Sequence, residues 1–174
     1  MPDSALLELA RHFNILKMRV FVKFEEDALL PAFKGSMLHG WLGHALKSAD
    51  EHAFFVLYGQ HDNRQPKPYM VVPNGDMKTQ WRKGEIYDFD LVLFGDAVQL
   101  EPHLVNACLH GQGMGLGNKR TPFKVISVAS QLPYGLKAGV HACALSDWLE
   151  KTQLAPLQSE CAVHFDTPIR LKIN

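Results

Sequence analysis

Two histidines and a lysine recur at helical spacing within Ser36–Ala49: His39, His44 and Lys47. At about 100° per residue His44 and Lys47 share a face, and His39 lies about 80° from Lys47. One imidazole and one ammonium beside a phosphodiester suffice for RNA cleavage without a metal. The imidazole takes the proton of the 2′-hydroxyl, that oxygen attacks the adjacent phosphorus, and the cation stabilises the added negative charge. Taken singly, each histidine also reads as an ordinary, partly exposed side chain. His12, His52, His61, His103, His110, His141 and His164 are read only that way. There is no Ser/His/Asp signature and no His/Cys/acid spacing of a zinc site, so neither metal nor cofactor is expected.

A second feature is the run Gly111-Gln112-Gly113-Met114-Gly115-Leu116-Gly117-Asn118-Lys119-Arg120. Glycines at alternate positions let a backbone approach a ligand closely and present its N–H groups. Gly111, Gly113, Gly115 and Gly117 would cradle a phosphate backbone, with Lys119 and Arg120 as counter-charges. A dinucleotide fingerprint needs a strand before it and a helix after, whereas here a helix precedes and a strand follows. A P-loop is excluded because no Gly-Lys-Ser/Thr ends the run. The plain alternative is a flexible connection between a helix and a strand.

Charge distribution adds to this where total charge does not. Lys+Arg and Asp+Glu both number 18, so the formal net charge is zero. Yet no Asp or Glu occurs from Pro102 to Ser146, a span that carries Lys119, Arg120, Lys124 and Lys137. A second acid-free span, Ala28 to Ala49, holds Lys34, His39, His44 and Lys47. Such segregation predicts a positive face, with Lys34 and Lys124 added to the candidate RNA contacts. Chance clustering on a solvated surface is the competing explanation. The sparse cysteines Cys108, Cys143 and Cys161 form no paired framework, fit a reducing cytoplasm, and read as buried free thiols. No apolar run approaches a signal peptide or a membrane span.

The elements that must hold these groups are legible from periodicity. A short helix is expected over Asp3–Phe13. Leu16, Met18, Val20, Val22 and Phe24 alternate with Lys17, Arg19, Phe21 and Lys23, as in a strand with one buried face. Ser36–Ala49 reads as a helix with Ser36 as a possible N-cap; Gly40 and Gly43 inside it would permit close packing or approach by a ligand. Glu25–Pro31 reads as a connection, His61–Pro68 as a loop and Tyr69–Val72 as a short strand. Asn74–Gly84 is a turn or extended hairpin loop, and Ile86–Phe94 the best-patterned strand. Asp96–His110 is a helix interrupted near its start by Pro102. A strand follows at Phe123–Val128, then a loop-like stretch at Leu132–Gly139 and an extended segment at His164–Ile173. Strand, helix, strand, strand, helix, strand is the ferredoxin-like βαββαβ order: an α+β fold whose antiparallel sheet carries both helices on one face. That fold alone specifies no function.

The segments Phe33–Lys47, Pro68–Pro73, Leu91–Ala97 and Gly111–Phe123 resemble the RAMP-superfamily endoribonucleases that cut precursor CRISPR RNA within its repeats. The glycine run followed by a basic pair and Pro-Phe is the most specific element. The likeness spans about Ile15 to Val128 and recurs at His164–Lys172. It implies metal-independent cleavage to 5′-hydroxyl and 2′,3′-cyclic phosphate ends, often by a histidine with a lysine or tyrosine. On that pattern His39, His44, Lys47 and Tyr58 are the catalytic candidates, Tyr58 standing where some relatives carry histidine. The family's usual tandem of two domains implies a ferredoxin-like RAMP domain over residues 1–130, a linker or helical extension over 131–160, and the entry to a second domain over 161–174. The resemblance further implies CRISPR repeat RNA as partner, other effector subunits as further partners, and a possible homodimer through the C-terminal strand. A non-catalytic RNA-binding subunit and a small-anion-binding regulatory domain are the alternatives.

Overall fold

The computed structural model describes residues 4–59 and 66–151. A helix α1 (Ser4–His12) leads into the longest strand, β1 (Asn14–Phe24). After a two-residue strand β2 (Ala28–Leu29) come the helices α2 (Gly35–Ala49) and α3 (Glu51–Tyr58). Strands β3 (Tyr69–Pro73), β4 (Gln80–Trp81) and β5 (Ile86–Phe94) follow. A 3₁₀ turn over Gly95–Leu100 opens into α4 (Glu101–Gly111), and a second over Gln112–Met114 begins the glycine loop. The described chain closes with β6 (Phe123–Leu132), β7 (Gly135–Ala138), β8 (Cys143–Ala144) and α5 (Leu145–Lys151).

The main sheet has the order β3-β5-β1-β6-β7, with β8 paired to the start of β1, and every pairing is antiparallel. Its first four strands give the ferredoxin-like order, so the expected α+β fold stands. Alternation sets the register: Leu16, Met18, Val20, Val22 and Phe24 of β1 are all buried, beside Tyr87, Phe89, Leu91 and Leu93 of β5. Above this face lie α2, through Leu38, Trp41, Leu42, Ala45 and Leu46, and α4, through Leu104, Ala107 and Cys108. The Trp41 ring meets Phe89 and Phe123 edge-on, at centroid distances of 5.8 and 5.6 Å. Burial pushes the Cys108 thiol up to about 12, in keeping with an inert core cysteine.

The opposite sheet face explains the basic parity of β1. Arg19 makes a two-pronged contact with Asp90, Nε to Oδ1 at 2.7 Å and Nη2 to Oδ2 at 3.2 Å, while Lys17 lies 3.3 Å from the same carboxylate. These cations are therefore spoken for by β5.

Several local expectations change. Ser36 does not cap α2; the helix opens from Lys34 with no side-chain cap bond. Asp50 caps α3 instead, accepting from the Ala53 N–H at 2.9 Å, and also bonds His103 of α4. Pro102 starts α4 rather than interrupting it, since a first-turn proline has no N–H to waste. The loop-like stretch after Leu132 is a hairpin, its register running from Ala129 opposite Ala138 to Leu132 opposite Gly135. The connection at Ala28–Leu29 and the turn at Gln80–Trp81 pair as a small second sheet. The expected extension over 131–160 holds the end of β6, then β7, β8 and α5 as far as Lys151. The proposed second-domain entry at 161–174, and with it the C-terminal strand of a homodimer, lies outside the described residues.

Candidate functional site

The glycine loop is built by its own chain. At the end of α4, Trp41 Nε1 donates to the Gly111 carbonyl at 3.0 Å, and a Cβ at Gly111 would stand 2.7 Å from the indole. Gln112 then clips helix to sheet: its Nε2 donates to the Leu109 carbonyl at 2.8 Å and its Oε1 accepts from the Val125 N–H at 2.6 Å. Leu116 and Thr121 exchange two backbone hydrogen bonds of 2.9 Å, closing a tight turn over Gly117–Arg120. Gly115 has φ +69° and its missing Cβ would lie 2.1 Å from the Arg120 carbonyl, so only glycine fits there. Arg120 itself adopts φ +50°, the sole non-glycine in the left-handed region among the described residues.

This loop faces α2 across an open cleft of about 890 Å³. One wall is Ser36, Met37, Gly40, Trp41, His44, Lys47 and Ser48, successive turns of one helix face. The other is Gly113, Met114, Gly115, Gly117, Asn118 and Arg120. None of these residues is acidic. Lys47 and Arg120 are exposed, and neither has a carboxylate partner among the described residues. Two cations of opposite walls thus face a space with no compensating charge, an arrangement that attracts anions. His44 is exposed on the same side, with Ser48 one turn further on. The Ser48 hydroxyl and His110 Nε2 of α4 share a hydrogen bond of 2.9 Å. Together the walls offer a proton acceptor, a hydroxyl and two cations. Gly40 and Gly43 divide the roles foreseen for them. Gly43 admits the Tyr58 ring, which a Cβ would meet at 2.9 Å, whereas Gly40 opens on the cleft.

The remaining candidates are placed elsewhere. His39 turns away from the cleft into an aromatic cluster. Its Nε2 and the Tyr69 hydroxyl share a hydrogen bond of 2.8 Å, and the Tyr58 hydroxyl donates to its carbonyl at 2.8 Å. Burial, and then the charge of Lys67, lowers the His39 imidazole below its ordinary value. Burial foremost raises the Tyr58 hydroxyl far above the phenol range, so Tyr58 stays neutral. Lys34 is drawn inside: it is 1% exposed, its ammonium donating to the Asp76 carbonyl at 2.8 Å and the Ala32 carbonyl at 3.2 Å. It also stands 5.7 and 5.9 Å from the ring centroids of Tyr87 and Trp81. With its ammonium buried and two of its three N–H donors held by carbonyls, Lys34 lies inside the fold and not on the surface where an RNA would meet it, so the expectation for Lys34 is corrected. Lys119 parts from Arg120 and lines a separate groove with Asp27, Lys78, Arg82 and Glu85. Lys124 sits on β6 opposite Lys23 of β1, on the helix-free face, 3.2 Å from Glu25. Sequence reasoning missed Asn118, Ser48 and His110; the last two are adjacent only through the packing of α2 on α4. Among the described residues, no three His, Cys, Asp or Glu side chains cluster as a metal site would require, and no helix is long and apolar enough to cross a membrane.

The profile of the family described as AF_1859_N, an N-terminal domain, matches residues 13–50 and 57–162. The chain belongs to this family. Both walls of the cleft lie within the matched residues. No curated protein matches the sequence significantly. Among solved structures, a partial Cas6-RT-Cas1–Cas2 complex aligns with 72% of this chain and 18% of its own, at 15% identity and TM-score 0.46. A Cas6 product complex aligns with 72% of this chain and 44% of its own, at 17% identity and TM-score 0.44. A Csm3-Csm4 subcomplex of the type III-A CRISPR-Cas interference complex aligns with 80% of this chain and 84% of its own, at 13% identity and TM-score 0.46. This chain therefore spans less than half the length of the first two. Likeness at these levels assigns no residue and no activity.

Proposed function

We propose that this domain binds RNA in the cleft between α2 and the glycine loop, and that it cleaves precursor CRISPR RNA within its repeats, as the RAMP resemblance of its sequence implies. The observation that carries this reading is the meeting of His44, Lys47 and Arg120 on a cleft free of carboxylates. In the proposed reaction His44 accepts the proton of a 2′-hydroxyl, whose oxygen forms a bond to the adjacent phosphorus as the P–O5′ bond breaks. Lys47 and Arg120 carry the charge that builds on the phosphoryl oxygens, and Gly113 lets the RNA backbone come close. The products are a 2′,3′-cyclic phosphate and a 5′-hydroxyl, with no metal taking part. His39 and Tyr58 serve as packing in this reading, not as reacting groups.

The test is incubation with CRISPR repeat RNA in EDTA, with a 2′-deoxy substitution at the cut site as control. The expected result is cleavage to those two ends, abolished by the deoxy substitution. His44→Ala should lose roughly 10²–10⁴ in rate while RNA binding survives, and His39→Ala should keep cleaving. Full activity in His44→Ala removes the histidine from the mechanism. Salt-sensitive RNA binding without cleavage would make the domain a non-catalytic RNA-binding subunit, and no RNA binding at all would leave a small-anion site.

A further inference from the structure

The proposed reaction needs a second proton transfer, because the departing 5′-oxygen must be protonated as the P–O5′ bond breaks. We infer that Ser48 delivers that proton and that His110 acts behind it as the residue that positions and recharges the hydroxyl; this rests on the cleavage reading above. Ser48 follows His44 by one helical turn, so the imidazole and the hydroxyl lie side by side on the wall that the substrate would meet. The hydroxyl is held by His110 Nε2 at 2.9 Å, from the last turn of the neighbouring helix α4. The other hydrogen bond between α2 and α4 along this wall among the described residues runs from Trp41 Nε1 to the Gly111 backbone carbonyl; the contact of Asp50 with His103 lies beyond the end of α2.

The two imidazoles differ in what surrounds them. The ring of His44 has no hydrogen-bond partner among the described residues and opens on the cleft, as an acceptor from the 2′-hydroxyl must. His110 does not line the cleft and reaches the reaction only through Ser48. Protonated His110 donates its Nε2–H to Ser48 Oγ as Ser48 gives its own proton to O5′. His44 ends with one proton more and His110 with one fewer, and exchange with water resets both. Other titratable groups on or against α4 are Glu101, His103 and the core thiol Cys108 of α4 itself, His39, His44 and Lys47 of α2, Asp50 beyond its end, Asp96 in the preceding 3₁₀ turn, and Lys124 of β6, which points to the other sheet face. Of these only His44 and Lys47 line the same cleft.

The test is the pH profile of repeat-RNA cleavage in EDTA by the full chain, between about pH 5 and 8, where histidines change charge. The unaltered protein should give a bell, because one imidazole must be neutral and the other charged. Ser48→Ala and His110→Ala should each lower kcat on the order of 10²-fold, flatten the alkaline limb, and leave RNA affinity unchanged. The double variant should be no worse than either single one, since both remove one relay. An RNA with a 5′-thio leaving group, which departs without a proton, should restore both variants to the unaltered rate. A pair that merely ties two helices together would shift the melting temperature with the pH profile intact and no thio rescue, and that outcome overturns the inference while the cleavage reading stands. No cleavage by the unaltered chain overturns both.

Discussion

Lys34 shows how a single residue can be misread from its neighbours in sequence. It sits in an acid-free span beside His39 and Lys47, and so looks like part of a basic surface. What decides its role is the carbonyl of Asp76, 42 positions away, which no local pattern reveals. Burial pulls the ammonium below the ordinary lysine value, and the Asp76 carboxylate offsets part of that. The side chain still serves the fold, because it satisfies two carbonyls and lies among the rings of Tyr87 and Trp81. Lys34→Ala should therefore lower stability by about 2–4 kcal/mol in urea unfolding, from the lost charged hydrogen bonds and the void left behind. Its RNA affinity and salt dependence should match those of the parent when measured below the unfolding transition. A stable variant with a shallower salt slope would return Lys34 to the RNA surface.

At the level of elements, the sequence was legible wherever one face is buried and the other wet. The alternation of β1 and β5 and the apolar stripe of α2 gave those elements, and with them the placement of His44 and Lys47 on one face. It was illegible where that contrast is missing. All four residues of β7 are exposed, so no alternation marks it as a strand, and α3 is too short and too apolar to show a polar side. The glycine run falls between these cases. Its spacing suggested uniform approach to a ligand, yet its members have different causes: Gly111 accommodates Trp41 and Gly115 the Arg120 carbonyl, while Gly113 has nothing within 4 Å and faces the cleft. The turn also swings Lys119 and Arg120 to different sides, a divergence that side-chain types do not announce. Gly111→Ala should then cost about 1–3 kcal/mol of stability through overpacking against the indole. Gly113→Ala should unfold within about 0.5 kcal/mol of the parent and weaken RNA binding. Chemical denaturation and RNA titration of the pair separate the roles, and equal stability losses would show that the loop is uniform after all.

Across the whole molecule, a net charge of zero conceals an uneven distribution. On the helix-free sheet face Lys17 and Arg19 are matched by Asp88 and Asp90, and Lys124 by Glu25. On the helix-covered side, the cleft sets Lys47 and Arg120 against no carboxylate. An RNA strand should prefer the second surface, because a matched cation releases little counterion when a phosphate arrives, whereas an unmatched one replaces the ion that neutralised the phosphate. The consequence can be measured with variants of equal charge. Lys47→Ala with Arg120→Ala removes two positive charges from the cleft; Lys17→Ala with Lys124→Ala removes two from the opposite face, where Asp90 and Glu25 match them. If each cleft cation meets one phosphate of a single strand, the first double variant should reduce the slope of log K against log salt by about 1.4, at roughly 0.7 per phosphate contact. The loss should be the same for repeat RNA and for poly(U), since phosphates carry no sequence. The second double variant should leave the slope unchanged. Equal slopes for the two variants would mean that net charge alone governs binding, and a loss confined to the second would move the RNA path to the open face of the sheet.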